Sequence, residues 1–334
     1  MAWAQTKAPR AILAAYACIA RWSKPKQVSV PQIFDGRAVD GGHVVPRLFP
    51  FKTIGSATPK TDPRYCFRYL AYLMTGLLFA LAQAGPTMSD SSVSRWAQFN
   101  PTSEIQVNHQ AWDELLKAYL IPGMVNLFRY ADVAREDSAR LNAYLSGLAK
   151  MEVSNLGRDE QLALWLNLYN ALTVRVVLDH YPVASIREIN ISPGLFTAGP
   201  WGKPLIIVEG VSLTLNDIEH KILRPLWNDA RVHYGLNCAS LGCPNLQPRV
   251  FTGAEVWSQL DAAAREFVNG HGITIRNNRI VASRIYSWFA RDFGRDEAEI
   301  LAHILRFASP ALSAQISQIG RIVAYEYDWA LNDG

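Results

Sequence analysis

The sequence predicts an α+β fold, in which a single mixed domain is built on a central buried helix and a small, mainly antiparallel sheet. The segment 160–178 is apolar almost all the way round, which is typical of a helix enclosed by core on every side. Short strand patterns and longer helix patterns follow it without an internal repeat and without alternating βα units. A doubly wound parallel sheet is therefore not expected.

Hydrophobic periodicity places the individual elements. Helices are predicted at residues 110–120, 137–150, 160–178, 215–226, 254–268, 284–293, 296–307 and 311–317. Strands are predicted at residues 126–130, 205–208, 231–237, 273–275, 279–281 and 322–325.

The first part of the chain differs in composition from the rest. Residues 1–63 are rich in basic residues, Pro and Gly, and we interpret them as a leader from an over-extended gene start. Arg64 and Arg68 then precede an apolar run at 69–81 that ends in Ala82-Gln83-Ala84. This is a secretory signal pattern, so cleavage is expected after Ala84 and the mature protein is expected in the periplasm or outside the cell.

Residues 85–103 are rich in Ser, Pro and Thr and are predicted to be a flexible spacer, which leaves 104–334 as the α+β domain. No membrane span is expected after processing, because the apolar run is too short to span comfortably. No cofactor is predicted, since the common phosphate-loop, zinc-helix and calcium-loop signatures are missing from the sequence.

The charge distribution argues against a nucleic-acid partner. The formal net charge is +4, from 33 Lys and Arg and 29 Asp and Glu. Eleven of the basic residues but only three of the acidic ones lie in residues 1–68, so the remainder is mildly acidic. A mildly acidic domain without a basic stripe does not attract nucleic acid.

The segment 213–244 gathers the chemically active residues. His220 and Glu219 fall on a predicted helix, and Glu219 lies in the middle of its apolar arc. A glutamate there must be paired, hydrogen-bonded or protonated, because burial of an isolated charge is very unfavourable. Thr214 and Asp217 resemble a capping box, which gives Asp217 a structural role at the helix start.

A strand is predicted next, followed by a tight loop. Alternation puts Cys238 on one strand face and His233 and Asn237 on the other, while Cys243 closes the loop before Pro244. Export removes Cys18 and Cys66 with the leader, so these two cysteines are the ones expected to remain.

Four interpretations of this cluster stay open. In the first, Cys238 and Cys243 form a disulfide and the histidines are ordinary core residues. In the second, one cysteine is a nucleophile activated by His220 or His233. A Cys/His metal site and a thioredoxin-like exchange site have less support, because the histidines lack paired spacing and the cysteines lack the C-x-x-C gap.

Two amides interrupt the central helix. Asn167 and Asn170 follow each other at a three-residue step and need hydrogen-bond partners if they are buried. They either anchor a neighbouring loop or orient a catalytic histidine. Further on, Asp292 is the best spare carboxylate after Glu219.

The blocks WLNLYNALT, LTLNDIEHKILR, RVHYGLNCASLGCPNL, SRIYSWF and YDWALN resemble the domain-of-unknown-function family 547 over residues 112–332. The resemblance marks as motif positions Asn167, Asn170, Asp217, Glu219, His220, Arg224, Arg231, His233, Asn237, Cys238 and Cys243. The family name implies no activity.

We hypothesise an exported, cysteine-dependent hydrolase or acyltransferase that acts on amide or ester bonds in the cell envelope. Cys238 is the expected nucleophile, with Cys243, His233, His220 and Glu219 as further catalytic candidates. Asn167, Asn170, Asp217, Asn237 and Arg231 are candidates for orienting groups. A papain-like arrangement has little support, because the long helix does not begin with a cysteine. The alternatives are an envelope binding module that carries a Cys238–Cys243 disulfide, and a metal site.

Overall fold

The computed structural model describes residues 95–194 and 197–334, all of which lie in one compact unit. The leader at 1–63, the signal segment at 64–84 and the first part of the spacer lie outside the described residues. From residue 95 the spacer segment packs on the domain: Trp96 is buried and meets Trp165 edge to face at 5.2 Å. Order therefore begins before residue 104.

The predicted α+β class is confirmed. The helices are α1 Gln110–Tyr119, α2 Arg135–Leu148, α3 Arg158–Leu178, α4 Arg224–Trp227, α5 Val256–Phe267, α6 Ile285–Trp288, α7 Ala290–Phe293, α8 Glu297–Leu305 and α9 Pro310–Ile319. Two π-helices cover Asp217–Leu223 and Val268–Gly272. Short 3-10 helices cover Tyr130–Asp132, Val153–Asn155, Ile186–Glu188 and Ala230–Gly235.

The strands form three small sheets within the described ranges. They are β1 Leu120–Ile121, β2 Leu127–Phe128, β3 Ile206–Val208, β4 Val211–Leu213, β5 Ile273–Arg276, β6 Arg279–Ser283 and β7 Ile322–Glu326. β1 pairs with β2, β3 with β4 and β5 with β6, all antiparallel, while β6 and β7 run parallel. The prediction of mainly antiparallel pairing is confirmed, but the strands do not form a single sheet.

The central helix α3 explains the arrangement of the core. Sixteen of its 21 residues are buried, and the twelve apolar ones among them belong to a cluster that also holds residues of α1, α2 and the π-helix Asp217–Leu223. A second cluster lies between α5, the sheet β5–β6–β7 and α8. The 3-10 helix Ala230–Gly235 joins the two, because Val232 belongs to the first cluster and Tyr234 to the second.

The strand predicted at 231–237 is wrong. The side chain of Asp229 accepts a hydrogen bond from the Arg231 amide and begins the 3-10 helix Ala230–Gly235 instead. The alternating apolar residues Val232 and Tyr234 match the two-residue period of a strand. Both faces of this segment are buried, so alternation there does not distinguish a strand from a helix. Cys238 therefore does not end a strand.

Two predicted helices are also more irregular than expected. The segment predicted as one helix at 215–226 is a π-helix over Asp217–Leu223 that continues into α4. The helix predicted at 284–293 breaks at Phe289 into α6 and α7. Within the described ranges, no helix combines the length and the apolar composition that a membrane crossing needs.

Candidate active site

A pocket of about 200 Å³ brings together the five residues predicted as catalytic. Its lining includes Glu219, His220, His233, Cys238 and Cys243. These residues come from the π-helix Asp217–Leu223, the 3-10 helix Ala230–Gly235 and the loop that follows it. The predicted cluster is thus one site in space.

The loop that carries the two cysteines is held by side-chain amides. Asn237 donates from Nδ2 to the Pro244 carbonyl at 2.8 Å, and its Oδ1 accepts the Ala239 amide at 2.9 Å. This fastens the loop at both ends. Ala239 has a φ of 57°, in the left-handed region that an alanine occupies at a cost of about 1 kcal/mol. The turn directly after Cys238 is therefore strained and held by its surroundings.

A second contact fixes the loop against the C-terminal segment. The Leu241 amide donates to the Ala330 carbonyl and the Gly242 amide to the Asp328 carbonyl, each at 2.9 Å. A Cβ at Gly242 would lie 2.6 Å from the Asp328 nitrogen, so only glycine allows this approach. The pairing brings Tyr327 onto the first cysteine.

The Cys238 sulfur lies among neutral hydrogen-bonding groups. Its Sγ is 3.0 Å from the Tyr327 hydroxyl and 3.2 Å from the Ser240 hydroxyl, and the two hydroxyls are 2.9 Å apart. Burial raises the pKa of the Cys238 thiol, but hydrogen bonds from Cys243, Ser240 and Tyr327 outweigh it and place that pKa below its usual value. A thiolate is thereby favoured without a cationic partner.

Cys243 has the opposite properties. Its Sγ accepts the Cys238 amide at 2.9 Å, and burial together with the neighbouring sulfur raises the pKa of the Cys243 thiol well above its usual value. Both cysteines are free and buried. The predicted disulfide is therefore not formed in this structure, although the two residues are neighbours.

The two asparagines of α3 anchor two different segments. Asn167 donates to the Phe251 carbonyl at 2.8 Å and accepts the Phe251 amide at 3.0 Å, away from the pocket. Asn170 donates to the Gly235 carbonyl and accepts the Asn237 amide, each at 2.9 Å. Asn170 therefore positions the residue directly before Cys238, while Asn167 does not reach the site.

Glu219 is buried and partnered, as its place on the apolar arc predicted. Its Oε2 accepts a hydrogen bond from the Tyr169 hydroxyl at 3.2 Å, and its Oε1 lies 3.9 Å from His233 Nδ1 and 3.7 Å from His220 Nδ1. The predicted capping box is also present, because Thr214 and Asp217 exchange backbone-to-side-chain hydrogen bonds at 3.0 Å. Asp217 therefore starts the π-helix and is not a group that touches the site chemistry.

His233 is oriented as a catalytic histidine would be. Its Nε2 lies 2.7 Å from Asp292 Oδ2, and its ring stacks on Phe289 with centroids 4.3 Å apart. Arg224 donates to both oxygens of Asp292, from Nε at 2.6 Å and from Nη2 at 3.1 Å. Burial raises the pKa of the Asp292 carboxyl, but hydrogen bonds from His233 and Arg224 outweigh it and hold that pKa well below its usual range. The hydrogen bond to a carboxylate places the imidazole proton on Nε2 and leaves Nδ1 as an acceptor.

The second histidine is a weaker candidate for a base. His220 Nδ1 lies 3.2 Å from Arg224 Nη1, so that nitrogen accepts from the guanidinium. Burial lowers the pKa of His220. His220 is thus neutral near pH 7, and although Glu219 Oε1 lies 3.7 Å from Nδ1, that nitrogen is already engaged by the Arg224 guanidinium.

Arg231 lies outside the site. Its guanidinium binds Asp229 and Asp261 at 2.7 and 3.0 Å and covers the Trp257 ring. It fixes the start of the 3-10 helix Ala230–Gly235 and orients no group in the pocket. Among residues 95–194 and 197–334, no three His, Cys, Asp or Glu side chains are arranged to hold a metal ion.

Sequence reasoning missed several groups that complete the site. Tyr327 and Ser240 on the Cys238 sulfur, Tyr169 on Glu219 and Arg224 on Asp292 were not assigned a role. Asp292 was noticed only as a spare carboxylate. Arg224 was a position shared with the resembled family, which is the one signal that pointed to it.

The arrangement supplies the components of nucleophilic chemistry. It holds a thiol with a lowered pKa, an imidazole oriented by a carboxylate, and a second carboxylate on the same pocket wall. No hydrogen bond joins an imidazole to either sulfur among the residues that the structure describes. The cysteine loop and the His233–Asp292 pair can therefore be connected only by a molecule bound in the pocket.

Comparison with protein-family models matches residues 153–268 to a family described as "Protein of unknown function, DUF547". This segment runs from the 3-10 helix Val153–Asn155, just before α3, to the end of α5, and it holds Glu219, both pocket histidines and both cysteines. Neither the curated proteins nor the solved structures contain a match.

Proposed function

We propose that the protein is a cysteine-dependent acyl-transfer enzyme, a hydrolase or acyltransferase, in which Cys238 is the nucleophile. The proposal comes from the site itself, because the DUF547 family model that matches residues 153–268 names no activity. One observation carries the proposal. The Cys238 sulfur is held by the Tyr327 and Ser240 hydroxyls in the same pocket that His233 enters with Asp292 behind it.

The proposed reaction passes through a thioester. His233 Nδ1 takes the Cys238 thiol proton, and the sulfur attacks the carbonyl carbon of an ester or amide. The C–S bond forms, the C–O or C–N bond breaks, and the leaving alcohol or amine takes the proton from His233. Water or an acceptor nucleophile then attacks the thioester, gives its proton to His233, and the sulfur leaves as the thiol after that proton returns to it.

Asp292 and Arg224 support the imidazole in this scheme. The Asp292 carboxylate, kept ionised by Arg224, stabilises His233 when it becomes an imidazolium. Tyr327 and Ser240 donate to the sulfur while it carries negative charge. Because no hydrogen bond links His233 to Cys238 among the described residues, a bound water carries the proton between the sulfur and the imidazole.

The test uses a reporter ester. The reduced full chain is mixed with 4-nitrophenyl acetate, release of 4-nitrophenolate is followed, and peptide mapping by mass spectrometry locates the acetyl group. We expect acetyl-Cys238 in the wild type and in Cys243→Ser, and none in Cys238→Ser. Acetylation of surface lysines alone, or equal labelling of both cysteines, contradicts the proposal.

An envelope binding module is the second candidate. It is favoured by one observation, the 2.9 Å contact of Cys243 Sγ with the Cys238 amide, which makes the two thiols neighbours and suits a bridge under oxidising conditions. In that case the purified protein contains an unreactive disulfide, and neither cysteine is acetylated before reduction or after it.

Export to the periplasm or beyond is part of the proposal. It is supported by Arg64 and Arg68 ahead of the apolar run 69–81 and by Ala82-Gln83-Ala84. The N-terminal peptide of the protein recovered from cells is expected to begin at Gly85. A chain that keeps residues before 64 in the mature form contradicts this.

A further inference from the structure

Four aromatic rings form one wall of the pocket that holds Cys238. Trp288, Tyr327 and Trp329 lie within 4.6–5.6 Å of one another, and Trp201 continues the wall 5.8 Å from Trp329. All four line the pocket. Neighbouring rings are tilted by 35–70°, so the wall is not a flat plate.

This wall is open to a ligand. Trp288 is 44 % exposed, and the other three rings are half-buried. Large aromatic side chains are usually buried in the core, and partly exposed rings grouped on a pocket mark a binding surface. The proposed acyl transfer uses Tyr327 on the sulfur but gives no role to the three tryptophans.

The charge in the pocket is negative. Arg224 and Asp292 neutralise each other through two hydrogen bonds. His220 has a lowered pKa and is neutral near pH 7. The Glu219 side chain accepts a hydrogen bond from the Tyr169 hydroxyl at 3.2 Å, and its Oε1 lies 3.7 Å from His220 Nδ1 and 3.9 Å from His233 Nδ1. Glu219 is therefore a carboxylate in a partly desolvated aromatic pocket.

Aromatic faces with a carboxylate are the chemistry that recognises alkylated ammonium groups, because ring quadrupoles attract a cation that hydrogen-bonds poorly. The rings of this site already act in this way: the Arg187 guanidinium lies 5.2 Å from the Trp329 ring and that of Arg224 4.9 Å from the Phe289 ring. Arg187 is exposed, so solvent screens its charge from the pocket.

We propose that the pocket binds a quaternary ammonium headgroup, held between the wall of Trp201, Trp288, Tyr327 and Trp329 and the carboxylate of Glu219. The inference rests on the proposed function in one respect: it makes the substrate of Cys238 an acyl compound that carries such a cation. A pocket of about 200 Å³ admits a compact headgroup of this kind and leaves an attached acyl group beside the sulfur.

Two other ligand classes fit less well. A neutral hydrocarbon chain would displace water from the pocket and bring no positive charge to the Glu219 carboxylate, which is unfavourable. A sugar ring stacks on one flat aromatic face, whereas these rings are tilted against each other. The cation is the ligand that uses both the rings and the charge.

Choline and its neutral isostere 3,3-dimethylbutan-1-ol are the matched probes. Binding of each to the reduced full chain is measured by calorimetry and by quenching of tryptophan fluorescence. We expect choline to bind at least about tenfold more tightly than the isostere, because only the cation gains the ring and carboxylate attraction. Equal affinities, or no choline binding at all, overturn the proposal.

Variants locate the site. Glu219→Gln and Trp288→Leu are each expected to weaken choline binding by on the order of tenfold. Phe99→Leu is the matched control, because Phe99 is also 44 % exposed but lies outside the pocket lining. The Phe99→Leu variant should bind choline as tightly as the wild type does. Choline affinity that is unchanged in both pocket variants places the cation elsewhere and overturns the proposal.

The binding test is independent of catalysis. Choline binding is repeated in Cys238→Ala, where it should persist, since the headgroup contacts no sulfur. If choline binds there but Cys238 of the wild type is never acetylated, the acyl-transfer function fails and the cation site stands. If Cys238 is acetylated and choline does not bind, only the substrate class fails.

Discussion

The two sides of the pocket are built on different physical principles. On the sulfur side, made of Cys238, Ser240, Cys243 and Tyr327, the contacts are neutral hydroxyls, an amide and a second sulfur. On the imidazole side, made of Glu219, His220, Arg224, His233 and Asp292, they are carboxylates and a guanidinium. Hydrogen bonds alone thus favour the Cys238 thiolate. The charged side chains surround His233, the proposed proton acceptor.

The difference has a structural basis. The sulfur side lies on a loop fixed by backbone pairing to the C-terminal segment, and that loop offers dipoles instead of charges. The imidazole side lies on helices, where Phe289 stacks against His233 and holds its ring towards Asp292. Substitutions on the sulfur side should therefore change the ionisation of the Cys238 thiol, and substitutions on the imidazole side should change the rate of proton transfer.

The largest effect is expected on the imidazole side. His233→Ala should lower the rate of thioester formation with 4-nitrophenyl acetate by about 10²–10⁴-fold, because the proton acceptor is lost. His220→Ala is the control, and its loss should stay within about tenfold, since His220 faces Arg224. An equal loss of rate in both variants would contradict the assignment of His233, rather than His220, as the base.

Asn167 and Asn170 provide a matched pair that separates folding from the sulfur side. Asn167→Ala and Asn170→Ala should each lower the free energy of unfolding by about 2 kcal/mol, because each leaves a buried backbone amide and carbonyl without partners. Denaturant unfolding measures this loss.

Only Asn170→Ala should also change the alkylation rate of Cys238, since Asn170 holds the Asn237 amide next to it. A similar rate change in Asn167→Ala would show that the effect arises from general loosening of α3.

Acid should loosen the imidazole side through His303. Burial lowers the pKa of His303 to about 4, and its Nε2 lies 3.0 Å from the hydroxyl of Tyr234, the neighbour of His233. The unfolded chain takes up this proton near pH 6.5 and the folded chain only near pH 4, so stability is full above about pH 6.5 and falls towards pH 4.

We expect His303 to contribute a loss of about 2 kcal/mol between pH 7 and pH 4, measured by urea unfolding at each pH. His303→Gln retains a hydrogen-bonding group and does not titrate, so its stability should vary less over this range. An unchanged pH dependence in that variant would assign the acid sensitivity to other groups.

The smallest effect concerns a single hydrogen bond on the sulfur side. Tyr327→Phe removes the hydroxyl 3.0 Å from Cys238 Sγ and keeps the ring on Trp288 and Trp329. The midpoint of the pH profile for Cys238 alkylation should rise by about 1 pH unit, because one hydrogen bond to the thiolate is lost. Tyr325→Phe, on the same strand end but without contact to the sulfur, should leave the midpoint unchanged.

The sequence predicted the parts of this site that depend on local pattern. The burial of Glu219 and the anchoring amides of α3 follow from helical periodicity, because each polar group falls at a position that the pattern marks as buried. The capping box follows from the three-residue spacing of Thr214 and Asp217.

The rest of the site depends on contacts between distant residues. Tyr327 reaches Cys238 across 89 positions and Asp292 reaches His233 across 59, and neither pairing leaves a local signal. The 3-10 helix Ala230–Gly235 was predicted as a strand because both faces of the segment are buried. Its helical start depends on one hydrogen bond, which the Arg231 amide donates to the Asp229 side chain.

The asymmetry of the two thiols is the central claim, and the pH profile of alkylation tests it most directly. The reduced full chain is treated with iodoacetamide from pH 5 to pH 10, and the modification of each cysteine peptide is quantified by mass spectrometry. Cys238 should react first, with a midpoint below that of an ordinary thiol, and Cys243 should stay unmodified near neutral pH. Equal, slow reaction of both cysteines with one shared midpoint would contradict the account.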